Sequence, residues 1–188
     1  MSNFWTEANI EPKRKFRFLL YFNGMPQFVA KSVTKPAFNI GKTEHNFLQH
    51  KFNFPGRVTW QPITMTIVDP VQPDSTASLY NILKKCGYVI PTNVVENNAA
   101  GFGTVNKKDM VEALGGRIQI DTIGPDGSNQ IVESWILNNP IITSATFDTL
   151  DYGSDDLLNI TIGIEYDWAT LNEEITATVT PWPENTRY

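Results

Sequence analysis

The clearest pattern of hydrophobic and polar residues lies between residues 158 and 168. Every second side chain there is apolar, which is the period of a β-strand because successive side chains point to opposite faces. The apolar positions are Leu158, Ile160, Ile162, Ile164, Tyr166 and Trp168. The pattern therefore predicts a strand with one buried face. Residues 141–147 are rich in β-branched side chains and predict a second strand, joined to the first by turn-forming residues.

Strand-like patterns recur along the rest of the chain. They cover residues 15–22, 27–35, 58–68, 117–123 and 131–137. Asn23 and Gly24 separate the first two segments and predict a β-hairpin turn. Together the segments predict a mainly β protein of about six to eight strands, arranged as two packed antiparallel sheets or a flattened β-barrel.

One segment has the pattern of an α-helix. Apolar side chains at Leu79, Ile82, Leu83 and Cys86 follow the i, i+3, i+4, i+7 spacing of a helix face. Asp74 or Ser75 is a suitable N-cap, and Gly87 is placed to end the helix. We expect this helix to cover an opening of the β structure, and Cys86 to be a buried hydrophobic residue rather than a nucleophile.

The 188 residues are most simply a single domain, with several segments outside its regular elements. These segments are a polar N-terminal arm at 1–12, an extended hairpin or loop at 41–57, a long loop at 91–113 and a C-terminal extension at 170–188. The arm carries two adjacent aromatic residues, and the segment at 41–57 mixes aromatic with basic residues. Neither has a periodic partner within the chain, so we expect neighbouring subunits to bury both.

Charge is distributed unevenly along the chain, whose net charge is -5. Residues 1–60 contain nine Lys and Arg against three Asp and Glu, whereas residues 120–188 contain one against twelve. Two interpretations remain open. In the first, the basic and acidic residues lie on separate solvent-exposed faces and have no further function. In the second, a basic patch of one copy faces an acidic patch of the next and directs head-to-tail assembly.

The sequence contains none of the common motifs of catalysis. GxSxG, phosphate-binding, HExxH and CxxC patterns are missing, and His45 with His50 are too few ligands for a zinc site. We therefore expect no enzyme activity, catalytic residue, metal or cofactor. The single cysteine excludes an intrachain disulfide, which is typical of a reducing compartment, and we expect no membrane association because no apolar run reaches spanning length.

The stretch from 131 to 168 resembles the C-terminal half of tail tube proteins from contractile-tailed phages. The resemblance rests on Trp135, Ile136, Leu137, Asn139, Pro140, Phe147, Leu150, Asp151, Tyr152, Ser154, Asp155, Asp156 and the Ile-rich strand ending in Tyr166, Asp167 and Trp168. It covers residues 14–168 and is strongest over 115–168. Tube-like baseplate proteins of the same phages share the pattern, which describes a fold and not a catalytic site.

The resemblance implies a structural function. Tail tube proteins of this kind form hexameric rings that stack into a channel for DNA ejection, with the tail sheath and baseplate as partners and with DNA passing through unbound. The expected location is the virion tail, after synthesis in the host cytoplasm. A baseplate tube-initiator ring of the same fold is an alternative. A small carbohydrate- or nucleic-acid-binding β domain is a second alternative, and the mixture of aromatic and basic residues at 41–57 is superficially similar to a nucleic-acid-binding surface.

Candidate residues for the contacts between subunits come from the arm, the segment at 41–57 and one acidic pair. They are Phe4, Trp5, Lys42, His45, Phe47, His50, Lys51, Phe52, Phe54, Arg57, Asp155 and Asp156.

Overall fold

The structure is a computed structural model that describes residues 12–22, 25, 27–89, 104–125 and 131–172. These residues form ten β-strands, two α-helices and one 3-10 turn at Gln27–Val29. The strands are β1 Phe18–Tyr21, β2 Ala30–Val33, β3 Phe38–Phe47, β4 His50–Trp60, β5 Ile63–Val68, β6 Arg117–Ile123, β7 Ile131–Asn138, β8 Ile141–Phe147, β9 Asn159–Glu165 and β10 Trp168–Leu171. The helices are α1 Ser75–Lys85 and α2 Lys107–Ala113.

Eight of the strands form two antiparallel sheets, and the other two form a hairpin. The first sheet has the order β1-β6-β7-β10, and the second sheet has the order β2-β5-β9-β8. Strands β3 and β4 pair with each other in a separate two-stranded sheet. The predicted fold class, mainly β with packed antiparallel sheets, is confirmed, although the described residues contain more strands than predicted and a second helix.

The centre of the core is the strand that gave the clearest sequence pattern. Ile160, Ile162 and Ile164 of β9 are fully buried, and each lies opposite an equally buried residue of β5, in the pairs Ile67↔Ile160, Met65↔Ile162 and Ile63↔Ile164. Tyr166 is also buried, but the two ends of the pattern, Leu158 and Trp168, are exposed. The predicted strand is therefore too long, because the chain leaves the second sheet after Glu165.

The chain crosses between the two sheets twice within this stretch. It passes from β7 to β8 at Asn139, which has a φ of 52°, and from β9 to β10 at Asp167. The two crossings are joined, since the side-chain amide of Asn139 donates a hydrogen bond to the Asp167 carboxylate at 2.9 Å. Lys107 of α2 donates to both oxygens of that carboxylate at 2.7 Å. The Lys107 ammonium, and then Asn139, lower the pKa of Asp167.

The hairpin predicted at Asn23 and Gly24 is wrong. Strand β1 pairs with β6 of the first sheet, whereas β2 pairs with β5 of the second sheet. The predicted strand at 27–35 is also shorter, because it begins with a 3-10 turn and continues as Ala30–Val33. An alternating pattern identifies a strand but not its partner, so adjacent strands with a turn signal between them can belong to different sheets. Asn23 and Gly24 themselves lie outside the described residues.

The predicted helix is confirmed as α1. The Asp74 carboxylate accepts a hydrogen bond from the Ala77 amide at 2.8 Å and caps the helix. At the other end Cys86 is fully buried, and Gly87 has a φ of 103°. A β-carbon at Gly87 would lie 2.5 Å from the Thr104 carbonyl oxygen, so both the backbone conformation and the available space require glycine there.

The long loop predicted at 91–113 is partly wrong, because Lys107–Ala113 form α2. Asn106 caps this helix by accepting from the Asp109 amide at 2.9 Å. Met110 and the following Leu114 face the core. A helix of seven residues spans two turns, which is too short for a visible period. Residues 91–103 lie outside the described residues, as do 1–11 and 173–188, and of the predicted C-terminal extension Thr170 and Leu171 belong to β10.

Candidate subunit interface

Strands β3 and β4 form a long hairpin that pairs with no other strand of the described chain. Its ladder runs from Phe38↔Trp60 to Phe47↔His50. Every residue of both strands is exposed except the half-buried Trp60. The hairpin therefore projects from the two sheets, and it is longer at both ends than the segment at 41–57 that the sequence indicated.

A β-bulge divides the hairpin into an inner and an outer half. Ile40 lies opposite Val58, but Lys42 lies opposite Pro55, so β4 contains one additional residue at this point. A β-carbon on Gly56 would lie 3.1 Å from the carbonyl carbon and oxygen of Gly41. Glycine at position 56 thus lets the two backbones approach each other where the extra residue is accommodated.

One face of the outer half is aromatic. The cross-strand pairs Thr43↔Phe54, His45↔Phe52 and Phe47↔His50 alternate with polar pairs along the ladder, and residues directly opposite each other point to the same face. Phe47, Phe52 and Phe54 are 60%, 49% and 55% exposed. The hairpin thus presents three phenylalanines and two histidines together on one exposed surface, which we term the aromatic face.

The other face of the outer half is charged. The Glu44 carboxylate lies 2.7 Å from the Lys51 ammonium and 2.9 Å from the Lys42 ammonium. The Lys51 hydrogen bond, followed by that of Lys42, lowers the pKa of Glu44. Two cations share one anion, so this face keeps a positive charge. We term it the basic face.

The base of the hairpin is fixed to the core by aromatic contacts. The rings of Phe38 and Trp60 meet edge to face with centroids 5.6 Å apart, and Trp60 lies 6.0 Å from the ring of Tyr166. The Gln61 amide donates to the Ala37 carbonyl at 2.8 Å, which closes the end of the ladder. The hairpin is therefore held firmly at its base while its outer half extends into solvent.

The structure brings most of the candidate interface residues together and separates others. Seven of them form the outer half of the hairpin: Lys42, His45, Phe47, His50, Lys51, Phe52 and Phe54. Arg57 is exposed beside the bulge. Asp155 and Asp156 are exposed on the loop between β8 and β9, which also contains Asp148 and Asp151. Phe4 and Trp5 lie outside the described residues.

The structure contains a second apolar surface that the sequence patterns did not indicate. It is a groove of about 480 Å³ between α1 and the edge strand β8. Its apolar lining is Leu79, Tyr80, Ile82, Leu83, Met110, Ile142, Ala145 and Phe147. The helix spacing indicated that Leu79 and Leu83 share a face, but the sequence could not show that β8 would leave that face partly uncovered.

The described part of the chain does not meet the requirements of a metal site or of a reactive thiol. Those residues contain no group of three or more His, Cys, Asp or Glu placed to hold a metal ion. Burial, and then the charge of Asp109, raises the pKa of the Cys86 thiol, which keeps it protonated. Of the helices described, none is long and apolar enough to cross a membrane.

Sequence comparison finds no family model and no curated protein that match the chain. Solved structures do match its architecture. A chain of the anti-feeding prophage cap, the tube terminating cap, superposes with a TM-score of 0.62 at 20% identity, over 92% of this chain and 99% of the other. A chain of the sheath-tube complex of the PVC extracellular contractile injection system gives 0.60 at 16% identity, over 92% and 99%.

The chain shares its fold with contractile-system tube components. A chain from the six-fold symmetrised baseplate of the anti-feeding prophage gives a TM-score of 0.56 at 14% identity, over 86% of this chain and 96% of that one. The near-complete coverage of the matched chains means that the shared fold accounts for almost their entire length.

Proposed function

We propose that this protein is the structural subunit of the tube of a contractile phage tail, and that it assembles into stacked hexameric rings around a channel for DNA. The observation that supports this most is the hairpin of β3 and β4, which extends from a tube-type fold and exposes an aromatic face with no partner strand in the described chain. Isolated exposed aromatics are common, but a contiguous exposed apolar surface is typical of a protein interface.

The fold comparisons support assembly as the function. The matched chains come from a sheath-tube complex, a tube terminating cap and a six-fold symmetrised baseplate. By extension, the sheath and baseplate are the proposed partners of this chain, the virion tail is its location, and its role is structural rather than enzymatic. DNA passes without specific binding, because a strongly basic channel wall would retain the phosphate backbone.

The hairpin provides the test of this proposal. In a shortened variant, an Asn-Gly turn replaces residues 42–55. This change removes the outer half of the hairpin and keeps the inner half, with Trp60 at its base. We expect the unaltered protein to sediment as hexamers or larger species and the variant to sediment as a folded monomer. If the two proteins sediment alike, the hairpin does not drive assembly.

A terminal ring of the tube is the second candidate. A chain of a tube terminating cap superposes on this chain slightly better than a chain of the sheath-tube complex, and a chain of a baseplate superposes slightly less well. A terminating or initiating ring forms one layer, whereas a tube subunit stacks on itself. The length of the particles formed by the purified protein distinguishes the two functions.

A further inference from the structure

A basic cleft lies where β1, an edge strand of the first sheet, approaches β2, an edge strand of the second. Its volume is about 810 Å³, and its lining comes from residues 13–18, residues 31–35 and two residues of β6. Six of the thirteen described lining residues are Lys or Arg, and none is Asp or Glu. The six, Lys13, Arg14, Lys15, Arg17, Lys31 and Lys35, include most of the basic residues of the first 60. We term this surface the basic cleft.

One carboxylate lies beside the basic cleft but does not neutralise it. Glu133 is opposite Thr122 in the ladder of the first sheet and binds both Lys13 and Lys35, so two cations share one anion. Lys31 donates to the uncharged side-chain oxygen of Asn159 at 3.1 Å. The described lining therefore keeps a net positive charge, which attracts an acidic partner.

The basic cleft also offers apolar surface to a partner. Phe18, Val33 and Ile120 belong to its lining. Phe16, another lining residue, is 75% exposed, and the Arg17 guanidinium lies 5.5 Å from the centre of its ring. A segment that fits this cleft should therefore combine carboxylates with large apolar side chains.

The loop between β8 and β9 has this combination. Residues 148–158, which we term the acidic loop, are all exposed and contain four Asp and no Lys or Arg. None of these Asp side chains forms an ion pair with a described Lys or Arg. Leu150 and Leu157 are 80% and 68% exposed, and Tyr152 is fully exposed. Exposed apolar side chains clustered in this way are typical of an interaction surface.

The acidic loop does not fill the cleft of its own copy. Its first residue, Asp148, approaches the cleft, because Asn159 contacts Lys31 and also donates to the Asp148 carboxylate at 3.2 Å. The following residues, 149–158, are not among the described residues that line the cleft. Each copy therefore presents an open basic cleft and an exposed acidic loop at the same time.

We propose that the basic cleft is the docking site for the acidic loop of a second copy of this chain. Tyr152 packs on Phe16 at the mouth of the cleft, and Asp155 lies toward Lys15. Two different surfaces meet in this contact, so it can repeat from copy to copy in a ring or a stack. The inference rests on the proposed function and adds a contact between subunits that does not involve the hairpin.

Reversal of charge on the two surfaces tests the contact. Lys15→Glu changes an exposed lysine that does not hold Glu133, and Asp155→Lys changes the loop. Each variant alone should need about fivefold or more protein to assemble, because like charges then face each other. An equal mixture of the two should assemble near the concentration of the unaltered protein, since the two reversed side chains attract each other.

A matched control separates this effect from a change in net charge. Lys108→Glu alters net charge as Lys15→Glu does, but Lys108 is exposed on α2 and does not line the cleft. We expect it to assemble like the unaltered protein. Circular dichroism checks that all three variants are folded.

Disulfide trapping tests the apolar part of the contact independently. The native Cys86 is fully buried, so engineered thiols react without competition from it. Phe16→Cys protein is mixed with Tyr152→Cys protein and oxidised, and we expect a covalent heterodimer. Val71→Cys replaces Tyr152→Cys in the control, because Val71 is 93% exposed but lies on the loop between β5 and α1. We expect little heterodimer from the control.

Several outcomes would overturn the inference while leaving the proposed function intact. Normal assembly of both charge variants, or equal trapping by Tyr152→Cys and Val71→Cys, would mean that the loop docks elsewhere. Impaired assembly of Lys15→Glu without rescue by Asp155→Lys would assign the cleft to another acidic surface. A disulfide within one chain of a protein with both cysteines, at low concentration, would assign the cleft to the loop of the same copy.

Failure of the proposed function would give a different result. An unaltered protein that stays monomeric at all concentrations would contradict both the docking site and the proposed function.

Discussion

Trp60 and Tyr166 lie with ring centroids 6.0 Å apart, and this contact joins the base of the hairpin to the strand at the centre of the core. Trp60 ends β4, while Tyr166 directly follows β9 and lies two residues after Ile164, the last of its buried isoleucines. The projecting element is thus anchored to the buried centre of the core. The anchor and the exposed outer half of the hairpin should respond differently to mutation.

Trp60→Ala should lower the free energy of unfolding by about 2 to 4 kcal/mol, since it removes a large half-buried side chain and its contacts with Phe38 and Tyr166. Phe52→Ala, in the exposed outer half, should change it by less than about 0.5 kcal/mol. Urea unfolding of the two variants at low protein concentration measures both effects. Equal losses would mean that the outer half packs on its own subunit.

The two faces of β9 should also differ. Ile162→Ala opens a cavity in the core and should cost about 2 to 5 kcal/mol of unfolding free energy. Thr161 lies on the opposite face beside Thr66 and Thr146, so Thr161→Ala should cost about 0.2 to 1 kcal/mol through cross-strand pairing. Similar values from thermal unfolding would show that β9 is buried on both faces.

Alanine substitutions at Gly87 and Gly116 distinguish the energetic cost of backbone strain from that of steric overlap. Both have a positive φ, but a β-carbon at Gly87 would meet the Thr104 carbonyl oxygen at 2.5 Å, whereas one at Gly116 would meet nothing within 4 Å. Gly116→Ala should cost about 1 kcal/mol from the left-handed conformation alone. Gly87→Ala should cost clearly more, and the same loss in both variants would mean that Thr104 moves aside freely.

The stability of the protein should depend on pH through the ionisation of Glu133. Its largely buried carboxylate on β7 accepts hydrogen bonds from Lys13, from Lys35 at 2.8 Å and from the Trp135 indole at 2.5 Å. Burial by itself would raise the pKa, but the hydrogen bonds from Lys13, Lys35 and Trp135 outweigh it and lower the pKa to about 2. Lys35 follows β2, so the carboxylate joins the first sheet to the second.

Because the folded-state pKa of Glu133 lies below the ordinary value of 4.5, its contribution is fully present above that value and is lost as the pH falls toward about 2. Glu133→Gln should therefore lower the unfolding free energy by about 1 to 2 kcal/mol at pH ~7, allowing for solvent screening. The difference from the unaltered protein should shrink below pH ~4.5. Urea unfolding across this range measures it, with the exposed Glu165→Gln as the control; a difference independent of pH would contradict the assignment.

The sequence predicted features that depend on local periodicity and capping. The alternation at Ile160, Ile162 and Ile164 identified the core strand, and the cap at Asp74 with Gly87 identified α1. Such local patterns could not predict which strands pair with each other. Asn23 and Gly24 signalled a hairpin, yet tertiary packing placed β1 and β2 in different sheets.

The candidate site was predictable in its composition but not in its geometry. The mixture of Phe and Lys at 41–57 marked an unusual segment, and the β-bulge opposite Gly41 then determined which residues share a face. The groove depends on how far α1 lies from β8, which no local pattern specifies. Long-range packing thus determines the groove, whereas the unusual composition of the hairpin is apparent from the residues themselves.

Electron microscopy of the purified, unaltered protein at high concentration is the most direct test of the central claim that this chain builds a tube. We expect ring-shaped particles with six-fold symmetry and a central channel, stacked into tubes of varying length. Single rings that never stack would indicate a terminating or initiating ring. Uniform monomers across the whole concentration range would contradict the claim.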